Sequence, residues 1–220
     1  MHKHLTIALL VLLVIVPLAK ADITLTFEGL KNQEAILDFY NGGFGGAGSG
    51  PGPNYGITFG SSALAIIASN SPGGTGNFSN SPSGHTIAFF LSGIGDVMNV
   101  AAGFDTGFSF YYSAPVYPGS VTVYDDLNAT GNVLANLNLP LTPNGGGSCT
   151  AAYCPWIPIG VAFSGVAKSV NFSGTANYIG FDNITLGNKV PTGVPEPGAI
   201  ALFATVLSGV ALLRRRKARA

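Results

Sequence analysis

The sequence predicts an all-β fold, a two-sheet jelly-roll-like sandwich, and three observations predict it. Apolar residues make up 47% of the 220-residue chain and charged residues only 9%, a balance that builds a core rather than a disordered chain. Glycine (31) and proline (14) are abundant, and with Asn, Ser and Thr they cut the chain into short apolar segments, roughly ten in number. Within these segments apolar residues alternate or run together over a few positions, as strands require. Helical spacing is confined to Glu34 to Phe39.

Taken in order, Ile23 to Phe27 alternates and reads as the first strand, ended by Glu28 and Gly29. Asn41 to Pro53, Asn-Gly-Gly-Phe-Gly-Gly-Ala-Gly-Ser-Gly-Pro-Gly-Pro, is a loop by composition. Gly43, Gly45 and Gly48 match the spacing of a dinucleotide-binding turn. Pro51 and Pro53 forbid the helix that must follow, and no acid occurs until Asp96. Tyr55 to Phe59 and Ala63 to Ala68 read as strands, Ser69 to Gly84 as a second polar loop, and Thr86 to Leu91 as a buried strand. Asn99 to Ala102 and the aromatic run Phe108 to Tyr112 follow. In Ser120 to Tyr124, Val121 and Val123 face one way and Thr122 and Tyr124 the other. Asn128 to Asn132 is a turn. Val133 to Leu139, Trp156 to Phe163, Ser169 to Phe172 and Tyr178 to Leu186 complete the set.

The two ends of the chain have a different character. Residues 1–21 combine a basic start (His2, Lys3, His4), an aliphatic run from Leu5 to Val16 and the small-residue pattern Ala19-Lys20-Ala21. This order marks a secretory signal peptide, cleaved by signal peptidase after Ala21. At the other end, Val194-Pro195-Glu196-Pro197 precedes an apolar run from Gly198 to Leu213, followed by Arg214, Arg215, Arg216 and Lys217. As a helix, sixteen residues extend about 24 Å, a little short of a hydrocarbon core of about 30 Å. Snorkelling arginines and local thinning close that gap, and the basic cluster stays cytoplasmic. Pro195 and Pro197 keep Glu196 extended and accessible ahead of the membrane.

In these three parts the tail resembles the PEP-CTERM sorting signal of Gram-negative bacteria. The resemblance implies recognition of residues 194–197 by an exosortase, cleavage or transfer near them, membrane anchoring through 198–213, and a basic stop in the tail 214–220. It further implies export across the inner membrane to the cell surface or extracellular matrix, in bacteria that secrete exopolysaccharide. Segments of the mature chain, Phe27 to Leu30, Phe39 to Gly43, Phe163 to Val170 and Gly180 to Leu186, resemble jelly-roll sandwiches related in architecture to carbohydrate-binding modules.

The exported part, residues 22–193, is one domain by length. Its nine acids and three lysines give a net charge of −6, although the whole chain is formally neutral. That excludes nucleic acid as a partner, because its phosphates need Lys and Arg. It suits divalent cations or neutral sugars. Cys149 and Cys154 are the only cysteines. An oxidising compartment favours a disulfide between them, and two thiols without further His or Cys ligands do not complete a zinc site. The bond would pin a Gly-rich loop beside Trp156.

No catalytic machinery emerges, and the expectation is a protein that is not an enzyme. His85 is the one histidine of residues 22–193, no Gly-x-Ser-x-Gly elbow is present, and His85 reads as an exposed residue at a strand start. The adjacent carboxylates Asp125 and Asp126 open a turn better than they pair across a glycosidic bond. The jelly-roll resemblance implies a structural calcium between first and last strands, with Glu28, Asp182 and Asn183 as candidate ligands and backbone carbonyls completing the shell. Tyr111, Tyr112, Tyr117 and Trp156 are candidates for stacking on sugar rings, against a core-filling role, above all for Trp156. The sequence thus leads to an exported, exosortase-processed surface or matrix protein with a structural or adhesive role. The alternatives are a carbohydrate-binding module for exopolysaccharide and, behind it, a polysaccharide hydrolase.

Overall fold

A computed structural model of the chain describes residues 22–146, 149 and 151–192; the expected signal peptide (1–21) and the expected sorting segment (194–220) lie outside the described residues. The described residues contain twelve strands and no helix: β1 (Ile23–Leu25), β2 (Glu34–Ala35), β3 (Ile57–Phe59), β4 (Ala63–Ile67), β5 (Thr86–Phe90), β6 (Gly95–Phe104), β7 (Gly107–Ser113), β8 (Gly119–Tyr124), β9 (Val133–Leu139), β10 (Ile157–Ala162), β11 (Ala167–Gly174) and β12 (Gly180–Leu186). They form two sheets. One has seven strands, in the order β10-β7-β12-β5-β4-β2 with β1 also on β12; the other has five, in the order β3-β6-β11-β8-β9. Every strand pair is antiparallel.

The inner faces bury Leu25, Phe27, Phe90, Met98, Phe108, Phe110, Val121, Val123, Phe172 and Phe181 between the sheets. Val121 and Val123 are fully buried while Thr122 and Tyr124 are not, as their alternation requires. Phe110 stands edge to face with Phe172 and Phe181 at ring separations of 6.2 and 5.6 Å, which joins the two sheets across the core. Each such ring removed from water contributes about 2 kcal/mol.

Two elements differ from expectation. Glu34 to Phe39 is not helical. Glu34 and Ala35 pair with Ala65 and Leu64 of β4, and the chain then turns through Leu37 at φ 47°. The fully buried Glu34 carboxylate explains the choice. It accepts the N–H groups of Lys31, Ala47 and Ser49 and the Ser49 hydroxyl, and so holds the Gly-rich loop against β2. Burial opposes ionisation of Glu34, yet these bonds outweigh it and lower its pKa. β6, in turn, runs from Gly95 to Phe104, well beyond the predicted Asn99 to Ala102; Asp96, Met98 and Val100 alternate inward while Gly95, Val97 and Asn99 face the other way, and the inward acid and outward valine hid the pattern.

The seven-stranded sheet is also covered on part of its outer face. Ile66, Phe78, Ile87, Phe89 and Tyr153 form a second apolar cluster, with Leu64, Trp156 and Tyr178 packed on it. Every residue of β5 is therefore buried, because both faces of that strand are covered. β12 is the hub. On one side it pairs with β7; on the other it pairs with β5 at Gly180 and Phe181 and with β1 at Ile184, Thr185 and Leu186. The change of neighbour falls at Asp182 and Asn183, where the register to β7 shifts and Asn183 takes φ 48°.

Candidate functional site

The predicted disulfide between Cys149 and Cys154 is formed, with a Cα–Cα distance of 5.5 Å. It closes the loop that carries Tyr153. Tyr153 bridges to Phe78, its carbonyl accepts the Ser79 N–H at 3.2 Å, and the Trp156 indole donates to the Ser79 carbonyl at 2.9 Å. The crosslink thereby fastens two long loops over the outer sheet face, beside Trp156 as expected.

At the edge of this cover lies an aromatic surface. Tyr117, in the turn between β7 and β8, is 43% exposed and stands edge to face with Tyr178 at 4.8 Å and 89°. Tyr178 lies two residues before the start of β12, and sequence reasoning missed it. Behind the pair, Phe78 contacts Tyr153 at 4.9 Å and Trp156 at 6.0 Å. Of the predicted stacking residues, the structure therefore leaves Tyr117 open and Trp156 half-buried with its indole N–H already engaged. Tyr111 is half-buried on the outer face. Tyr112 is a correction: it lies in the core, 2% exposed, with its hydroxyl on the Pro140 carbonyl at 3.1 Å, and no sugar reaches its ring.

Of the predicted calcium ligands, Asp182 and Glu28 both accept hydrogen bonds from the turn Ser83 to Thr86. Asp182 is fully buried; its carboxylate accepts the Ser83 N–H and hydroxyl, each at 2.8 Å, and the Asn183 N–H at 2.7 Å. Glu28 accepts the N–H groups of His85 and Thr86 at 2.7 Å, both on one carboxylate oxygen. The two acids thus grip neighbouring points of one turn, Ser83 to Thr86. Burial pushes the Asp182 carboxyl up to about 7 against the pull of its hydrogen bonds, and the nearby Glu28 charge adds to the rise. Asn183 Oδ1 is buried and has no hydrogen-bond partner. A carboxylate offers about four lone-pair positions, so Asp182 retains one and Glu28 a whole oxygen beyond the bonds described. Calcium takes six to eight oxygens, so these three side chains alone do not complete its shell. Among the described residues no group of three or more His, Cys, Asp or Glu side chains is placed to hold a metal ion.

The residues weighed for catalysis make local hydrogen bonds. Asp125 accepts the Asn132 N–H at 2.6 Å and amide at 2.8 Å; both Asp125 and Asp126 serve the predicted turn. His85 is exposed at the start of β5, with Nδ1 2.8 Å from the Ser71 hydroxyl. A small pocket beside Asp96, lined by Phe59, Phe90 and Phe181, measures about 20 Å³. That is room for a single water.

No protein-family model matches the sequence, and no curated protein does. Among solved structures the chain is similar to a glycoside hydrolase family 43 arabinoxylan arabinofuranohydrolase from Bacillus subtilis, at 22% identity and a TM-score of 0.38, covering 60% of this chain and 26% of that one. It is similar to a carbohydrate-binding module of Cellvibrio mixtus lichenase 5A, solved with cellotriose, at 15% identity and TM-score 0.36 over 59% and 88% of the chains. A third is a family 11 carbohydrate-binding module from Clostridium thermocellum, solved with a β-1,3-1,4-mixed-linked tetrasaccharide, at 12% identity and TM-score 0.35 over 79% and 99%. At such scores the likeness carries no ligand or activity over to this chain.

Proposed function

We propose that residues 22–193 are a non-catalytic carbohydrate-binding domain, and that residues 194–220 deliver it to the cell surface or extracellular matrix as an exosortase-processed sorting signal. The Tyr117–Tyr178 pair carries the reading: a rigidly backed, solvent-open aromatic surface on a domain of net charge −6 suits the apolar face of an uncharged sugar. The adhesive role expected from the sequence then becomes adhesion to exopolysaccharide. Export and processing rest on the signal peptide and on Val194 to Pro197, Gly198 to Leu213 and Arg214 to Arg216. In the same reading Glu28, Asp182 and Asn183 hold a structural calcium that neutralises a buried carboxylate and pins the turn Ser83 to Thr86.

Pull-down of the full-length protein on the exopolysaccharide of its own cells tests the binding. Replacing both Tyr117 and Tyr178 by Ala should weaken retention about 10-fold. Undiminished retention of that variant sinks the reading. Mass spectrometry of the secreted form tests delivery: a C-terminus near Pro195–Pro197 is expected, and an intact Ala220 contradicts processing.

A further inference from the structure

A larger concavity lies at the other end of the molecule. β7 begins just after Asp105 and Thr106 and ends just before the Tyr117 turn, so the two places stand one seven-residue strand apart, about 20–25 Å. The concavity has a volume of about 360 Å³, and Asp22, Ile23, Tyr55, Phe104, Asp105 and Leu186 are among its walls. That is within the size range of small-molecule sites, about 300–1,000 Å³, near its lower limit.

Its walls are fixed by the fold. The Thr106 hydroxyl donates to the Gly187 carbonyl, and the Gly187 N–H donates to the Gly107 carbonyl at 3.0 Å, which locks the β6–β7 turn to the end of β12. Asn188 donates to the Asp22 carboxylate at 2.9 Å. Gly187 sits at φ 96°, and a Cβ there would come within 3.0 Å of Asp22 Oδ1. Tyr55 is 41% exposed, yet its ring is stacked on buried Tyr40 at 6.2 Å and 13°, and its N–H donates to the Tyr40 carbonyl at 2.8 Å. A ring held this way loses little freedom when a ligand lands on it.

The chemistry of the walls selects the ligand. Ile23, Val100, Phe104 and Leu186 give an apolar floor, Tyr55 an open ring, and Asp22 and Asp105 hydrogen-bond acceptors; no lysine or arginine lines the cleft. An apolar face edged with hydroxyl donors matches these walls, whereas an anion meets the two carboxylates of Asp22 and Asp105, offset only by the α-ammonium that cleavage after Ala21 leaves on Asp22. We propose that this cleft binds an uncharged pyranose unit of a polysaccharide, as a second site at the end opposite Tyr117 and Tyr178. One domain then bridges two chains, or two stretches of one. The bridging rests on the proposed function of the tyrosine pair; the cleft itself does not.

Calorimetry of the full-length protein with neutral tetrasaccharides (cello-, manno- and laminaritetraose) and with a glucuronic acid tetramer tests it. The expected result is binding of at least one neutral tetramer and none of the uronic one. Asp105→Asn and Tyr55→Ala should each weaken the cleft event about 10-fold or more. Tyr117→Ala should leave that event intact. Asp105→Asn is a surface change and decides the matter should Tyr55→Ala unfold the protein. Neutral binding that Asp105→Asn leaves untouched and Tyr117→Ala abolishes overturns the cleft and keeps the tyrosine pair; loss confined to the cleft variants does the reverse. Preference for the uronic tetramer, or no neutral binding at all, overturns the proposal.

Discussion

Ser83 and Asp182, 99 residues apart, are joined twice: the Ser83 N–H and its hydroxyl each donate to a different oxygen of the Asp182 carboxylate at 2.8 Å. This double bond of turn to strand lies where β12 exchanges β5 for β1. With calcium held by Glu28, Asp182 and Asn183, millimolar calcium should raise the melting temperature of the protein, measured by calorimetry after chelation. Asn183→Ala should remove most of that rise while leaving the metal-free protein folded. An identical midpoint with and without calcium counts against the ion.

A pH dependence follows from Asp96. Burial lifts its carboxyl from an ordinary 3.8 to about 6, and N–H groups of Gly60, Ser62, Ala63 and Val97 limit the rise. The folded state therefore holds this proton more tightly than the unfolded chain does. Its stabilising contribution is complete below about 4, declines as pH rises toward 6, and is gone above that. Urea unfolding in the presence of chelator should show a loss of stability between pH 4.5 and pH 7 that is smaller in Asp96→Asn. An equal slope in the variant would assign the effect elsewhere.

Glu34 organises the Gly-rich loop from beneath. Glu34→Ala leaves the Lys31, Ala47 and Ser49 donors without their acceptor and should cost about 2–3 kcal/mol in urea unfolding. Amide exchange should quicken first at Ala47 and Ser49. A variant with unchanged exchange there would show that the loop is held by other means.

The Cys149–Cys154 crosslink spans a short segment, so its loss costs the folded state about 2 kcal/mol in the chain-entropy account. Replacing both cysteines by Ser should also loosen Tyr153 from Phe78 and shift Trp156 emission toward that of a wetter indole. Emission that stays the same would mean the loop keeps its place without the bond.

Period-two alternation made most of the fold legible. Ser120 to Tyr124, Val133 to Leu139 and Thr86 to Leu91 are strands within a residue of their predicted ends. β2 was not legible, because two residues carry no period and Glu34 looks like a surface residue until its four donors are seen. At the site, the parity rule already contained the answer for Tyr112. Phe108 and Phe110 face the core, so Tyr112 must follow them and Tyr111 must face out. Tyr178 had no such signal: its role depends on the β7–β8 turn meeting the start of β12, a long-range contact that no local pattern encodes. Tyr55 and Asp105 were hidden in the same way, since Asp22, Asp105 and Gly187 meet only once β1, β6 and β12 are assembled.

β1 lies along the end of β12, and Thr24 and Thr192 touch through their hydroxyls at 2.6 Å, so both limits of the described chain leave from the pole opposite Tyr178. A tensile load applied between that tyrosine and the departing chain would run lengthwise through β12. Its rungs to β7, β5 and β1 would then be strained together in shear instead of being unzipped in turn, the geometry in which a sheet best withstands drag from a flowing medium.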